Sequence, residues 1–115
     1  MKTVQEICRD LGITRKTLFY YDRIGILKPT VRTGKQKAKE YDEDAVRKLE
    51  KIIRYQAAGL KLEEIRGVLC EPQNERGILI EVIRRQNEQI SRIQKSLDQA
   101  RCLLEESAGG EENNE

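Results

Sequence analysis

Thr14, Arg15, Lys16, Thr17, Tyr20, Tyr21 and Arg23 fall within ten consecutive residues. Arginine or lysine can bond bidentately to guanine, and threonine can bond a phosphate or meet a thymine methyl. In a helix starting at residue 15, Arg15, Lys16 and Thr17 occupy the first turn, the part of a recognition helix that enters the major groove. The plainer alternative for such residues is a solvated helix face. Downstream, Lys35, Lys37 and Lys39 alternate behind Arg32. On a strand the three lysines would project from one face, a spacing suited to phosphate contacts that position a protein without reading sequence.

Other chemistries lack their residues. The 115-residue chain contains no histidine, which removes the commonest general base and the commonest metal ligand together. There is no Gly-rich phosphate loop and no nucleophile motif, so neither enzyme activity nor a cofactor is expected. Cys8, Cys70 and Cys102 are widely spaced, and an odd number of cysteines in a chain without a secretory signal argues for reduced thiols. A cytoplasmic location without membrane contact follows by default. The formal net charge of +2 hides an asymmetry: residues 1–41 carry +6, residues 42–74 carry −1 and residues 75–115 carry −3. A basic head on a mildly acidic body is the electrostatic footprint of a nucleic-acid binder.

The elements that must position these residues are mainly helical. Val4, Ile7, Cys8 and Leu11 recur at helical spacing, with Thr3 as N-cap and Gly12 as terminator. Cys8 on that stripe is expected in the core. Thr14 caps a second helix over 15–24, stopped by Gly25, and the helix–Gly–helix spacing is that of a helix-turn-helix. Leu18 and Tyr21 are expected to turn inward, leaving Phe19 or Tyr20 outward. Residues 26–29 read as extended before Pro29, and residues 30–41 as a hairpin or wing. Asp42 caps a third helix over 43–58, and Leu62, Ile65 and Leu69 mark a short fourth. These segments are read as one DNA-binding domain over 1–71.

Beyond Pro72, the residues Leu79, Ile83, Gln86, Ile90, Ile93, Leu97, Ala100 and Leu104 recur at alternating steps of four and three. This heptad predicts a coiled-coil helix over 75–107, about 50 Å long. It cannot bury such a seam alone, so a partner helix is required and a second copy of the chain is the simplest. The dimerisation residues are then Leu79, Ile83, Ile90, Ile93, Leu97, Ala100 and Leu104. Ile78, Ile80, Val82 and Leu103 are apolar but lie off the seam, and are read as packing against the DNA-binding domains. Residues 108–115, with Gly109, Gly110 and three acids, read as a disordered acidic tail.

Three ordered segments resemble the MerR family of winged helix-turn-helix transcription regulators: residues 14–29, residues 41–46 (Tyr-Asp-Glu-Asp-Ala-Val) and residues 58–65 (Ala-Gly-Leu-Lys-Leu-Glu-Glu-Ile). The resemblance covers residues 1–70 in detail and residues 75–107 in architecture only. It implies a mainly α fold, a winged helix-turn-helix followed by a long helix in an antiparallel coiled coil. It also implies a homodimer on double-stranded DNA, at a palindromic promoter element whose distortion lets RNA polymerase engage both promoter boxes. By position, Thr17, Tyr20 and Tyr21 would contact or support the DNA backbone, Arg15 and Lys16 would face the groove, and Lys39 would replace a wing arginine. The family usually carries an arginine at the position of Phe19 and a wing tyrosine at that of Ala38. About eight residues follow the coil, too few for a ligand pocket, so the chain reads as a short member without an effector domain. Alternatives are an excisionase-like or architectural DNA binder, or a thiol-based metal- or redox-sensing regulator using Cys70 and Cys102.

Overall fold

A computed structural model describes residues 1–33 and 38–113. It divides into two units, Met1–Pro72 and Gln73–Glu115.

The first unit begins with a strand the sequence reading did not contain, β1 (Lys2–Thr3). Helix α1 (Val4–Leu11) follows with no intervening residue, because Thr3 ends the strand and caps the helix. Its Oγ1 accepts from the Glu6 N–H at 3.2 Å, and the Glu6 carboxylate accepts from the Thr3 N–H at 3.3 Å. That reciprocal pair satisfies two of the donors a helix start leaves open. Gly12 closes α1 at φ 70°, a left-handed conformation that costs a glycine nothing. Thr14 then caps α2 (Arg15–Ile24), accepting from the Thr17 N–H at 3.1 Å.

Leu18, Tyr21 and Asp22 are the buried residues of α2, while Phe19 and Tyr20 stay outside at about 40% exposure. The inward pair Leu18 and Tyr21 matches the helical spacing; Asp22 joins it one residue later. Residues 26–29 form no strand. The N–H groups of Ile26 and Leu27 instead donate back to the Tyr21 carbonyl, at 3.0 and 3.3 Å, and both side chains are buried.

Strands β2 (Val31–Thr33) and β3 (Ala38–Tyr41) make the wing, and residues 34–37 lie outside the described residues. The sheet order is β1-β3-β2, antiparallel throughout, with Lys2 opposite Tyr41 and Arg32 opposite Lys39. The wing is therefore a three-stranded sheet, not a lone hairpin.

Helix α3 (Glu43–Ala57) starts on Asp42, whose carboxylate accepts from the Ala45 N–H at 2.8 Å, and it ends one residue earlier than expected. It buries Val46, Leu49 and Ile52. Helix α4 (Leu62–Cys70) buries Ile65 and Val68, whereas Leu69, expected on that face, is half-buried. A step of three and not four sets its inner face. Cys8 likewise is half-buried, not core, because Ile7 takes the innermost position of α1.

At the boundary of the two units a 3-10 turn (Pro72–Asn74) leads into α5 (Glu75–Asn113). The helix continues six residues beyond the expected end at 107, into the segment read as a disordered tail. Adding a residue to an existing helix avoids the cost of nucleation, so even Gly109 and Gly110 do not stop it. Along α5 the apolar seam is open: Ile83 is 55% exposed, Ile90 60%, Ile93 67% and Leu104 70%. Of the off-seam residues, Val82 is buried, Ile78 half-buried, and Ile80 and Leu103 exposed. Arg84 is paired with Glu81 and Glu88 on this helix. No helix among the described residues is long and apolar enough to cross a membrane.

Candidate nucleic-acid interface

The outer face of α2 is built by its inner one. With Leu18 and Tyr21 in the core, Arg15, Lys16, Phe19, Tyr20 and Arg23 face outward. The Thr14 hydroxyl donates to Thr17 Oγ1 at 2.9 Å, which orients the threonine beside Lys16. Arg15 and Lys16 are exposed at the N-terminal end of the helix, where a basic side chain gains nothing from the helix dipole. Their placement there makes sense for an external anion. Arg23 lies over the Tyr20 ring at 5.2 Å, so the two form one cation–π unit near the other end of the helix.

Tyr21 faces inward and its hydroxyl donates to the Gln56 side chain on α3. Burial pushes its phenol above the ordinary tyrosine range. It therefore supports the helix from beneath. Lys16, Thr17, Tyr20, Tyr21, Gln56 and Leu62 line a groove of about 370 Å³ between α2 and the α3–α4 corner. Arg66 on α4 reaches the Ile24 carbonyl at 2.6 Å, tying that corner to the C-terminal end of α2.

The wing cations are placed differently from one another. Lys35 and Lys37 lie outside the described residues. Arg32 and Lys39 do not point away from the protein; both reach back to Asp22. The Arg32 guanidinium donates to the two carboxylate oxygens at 2.9 and 2.7 Å, and the Lys39 ammonium lies 2.9 Å from Oδ2. The Asp22 side chain is only 8% exposed. Arg32, followed by Lys39, holds its carboxyl below the usual carboxylate range against the opposing effect of burial. Lys39 also sits 4.2 Å above the Phe19 ring. Between α2 and the wing runs a groove of about 570 Å³ whose lining includes Arg15, Phe19, Arg32, Ala38 and Lys39.

Asp22 and Arg66 were not singled out by sequence, and Gln56 was placed on the inner side of its helix without a partner. The signal for Asp22 was there: it stands four residues after Leu18, so the helical period places it inward. Gln56 stands four residues after Ile52, so the same period puts it on the inner side of α3, though its partner is 35 residues away; no comparable signal marks Arg66, whose partner is 42 residues away.

The remaining candidates belong to other surfaces. Cys70 and Cys102 are both exposed thiols. Among the described residues no group of three or more Cys, Asp and Glu side chains is placed to hold a metal. On α5, Leu79 is half-buried, and Ile83, Ile90, Ile93, Leu97, Ala100 and Leu104 are exposed.

Comparison with known proteins places this geometry. The model of the MerR HTH family of regulatory proteins matches residues 2–71. SkgA, an HTH-type transcriptional regulator of Caulobacter vibrioides, is 31% identical over 70 residues, covering 61% of this chain and 27% of that protein. The HTH-type transcriptional activator mta of Bacillus subtilis is 28% identical over 102 residues, covering 82% of this chain and 39% of its own. The crystal structure of MtaN, the N-terminus of the Bacillus subtilis multidrug transporter activator, aligns with a TM-score of 0.62 at 26% identity. That alignment covers 84% of this chain and 98% of the other. The chain thus spans from about a quarter to two-fifths of the length of these two curated relatives.

Proposed function

The chain belongs to the MerR family of helix-turn-helix regulatory proteins, and on that premise we propose that it is a DNA-binding transcription regulator, acting as a homodimer on a palindromic promoter element. The observation that carries this reading is the outer face of α2. Arg15 and Lys16 stand free of the core in its first turn, oriented by the Thr14 cap, with a wing fastened alongside. Arg15 and Lys16 enter the major groove, Thr17 and Tyr20 meet the backbone, and Arg23 adds charge at the far end. The open seam of α5 supports dimerisation. Six aliphatic positions at heptad spacing on a helix of 39 residues call for a partner helix, and a second copy supplies an identical one. Two modules on one dimer require two half-sites. Distortion of the intervening DNA, and its presentation to RNA polymerase, complete the proposal.

The test is footprinting on the DNA upstream of the gene, followed by titration of the protected duplex at several salt concentrations. The expected result is protection of an inverted repeat, with log affinity falling against log salt by about 0.9 per phosphate neutralised. Arg15→Ala should weaken operator binding by about 1–3 kcal/mol per half-site, the worth of one good base contact, and should flatten base preference at one position in each half-site. Equal affinity for every duplex before and after that substitution would overturn sequence-specific reading.

A further inference from the structure

Arg32 and Lys39 face each other across the β2–β3 ladder, and like charges directly opposite on antiparallel strands destabilise the pair. The sequence alone assigns Lys39 to phosphate and counts Arg32 among the DNA-binding residues. In the folded chain both converge on one carboxylate that belongs to another element, the recognition helix. Asp22 is the buried charged residue of that helix, and a carboxylate so placed is costly unless paired and hydrogen-bonded. Arg32 satisfies both its oxygens as a fork, Lys39 adds a third contact, and its ammonium also lies over the Phe19 ring.

We propose that Asp22 is a positioning residue for DNA recognition: it fixes the wing against α2 by drawing Arg32 and Lys39 inward, so these two cations act as internal fasteners and not as phosphate ligands. This rests on the DNA-binding reading above and deepens it. Two cations against one carboxylate leave a single net positive charge at the join. The backbone contacts of this face then come from Thr17, Tyr20 and Arg23, with Arg15 and Lys16 left to the groove.

Two variants separate fastening from simple charge. Asp22→Asn removes a negative charge from a DNA-facing surface; by charge alone it should bind DNA more tightly. Under the proposal it binds the operator at least about tenfold more weakly, because the wing is no longer held in register with α2. Arg32→Lys keeps the charge and loses the bidentate fork. It should weaken binding several-fold with an unchanged salt slope. In a background carrying Arg32→Met and Lys39→Met, Asp22→Asn should cost no further affinity. Equal or tighter binding by both Asp22→Asn and Arg32→Lys overturns the proposal.

Amide hydrogen exchange keeps the test independent of DNA and of any folding defect in Asp22→Asn. Arg32→Lys should speed exchange in Val31–Thr33 and Ala38–Tyr41 while leaving α3 protected. Unchanged exchange in both strands overturns the fastening role, whatever the duplex titrations give. A wild-type chain that binds no duplex but shows faster strand exchange in Arg32→Lys retains the fastening and overturns its role in DNA recognition, along with the DNA-binding reading.

Discussion

At the scale of single residues, Tyr41 is the unusual member of the core. It ends β3, is fully buried, and its hydroxyl finds no hydrogen-bond partner among the described residues. Burial first, then the Asp22 carboxylate, pushes its phenol up to about 12. A folded value above the unfolded one means that the native state holds its proton more tightly. Stability is then fully present below about pH 10 and is lost as pH rises through about 12. Tyr41→Phe removes the unpaired hydroxyl and keeps the ring. It should leave stability unchanged or raise it by up to about 1 kcal/mol, and it should flatten the alkaline limb of a plot of urea midpoint against pH. A variant that melts well below the parent would show that the hydroxyl has a stabilising partner.

At the scale of elements, the helix starts were the most legible part of the sequence. Thr3, Thr14 and Asp42 each cap the helix they were expected to cap, since capping depends on residues three apart. Thr14→Ala should cost about 1 kcal/mol in equilibrium unfolding. It should also weaken operator binding, because Thr14 holds the turn that carries Arg15 and Lys16. If affinity is kept while stability falls, that turn is ordered by DNA contact and not by its cap. The heptad of α5 was equally readable, its period being local. The wing was legible only as an extended basic segment. β1 is two residues long, too short to show alternation, and its pairing with β3 spans the chain from Lys2 to Tyr41. The inward turn of Lys39 needed knowledge of Asp22, on another element and 17 residues earlier. Alternation alone puts Lys35, Lys37 and Lys39 on one face and says nothing of what that face meets.

At the scale of the whole molecule, charge and seam divide the labour. The segment of residues 1–41 carries +6 and that of residues 75–115 carries −3, so under the proposed function the head carries the attraction to DNA and the exposed apolar seam of α5 serves the partner. Ile90→Asp with Ile93→Asp places two like charges in the middle of each seam. Sedimentation should then show a monomer, and affinity for the two-half-site operator should drop by about a hundredfold or more, through loss of the paired attachment. A dimer that survives both substitutions would move the interface off the heptad. The joint at Thr3 has a mechanical consequence at this scale. One residue closes a strand of the wing sheet and opens α1, so no slack lies between them, and Asp22 clamps the wing to α2 on the opposite side. Among the described residues, wing and helix pair are thus joined at two places, Thr3 and Asp22. On the DNA-binding reading proposed above, grooves that do not match the span of this joined pair would meet a protein fastened at both places, and the bending would fall on the double helix.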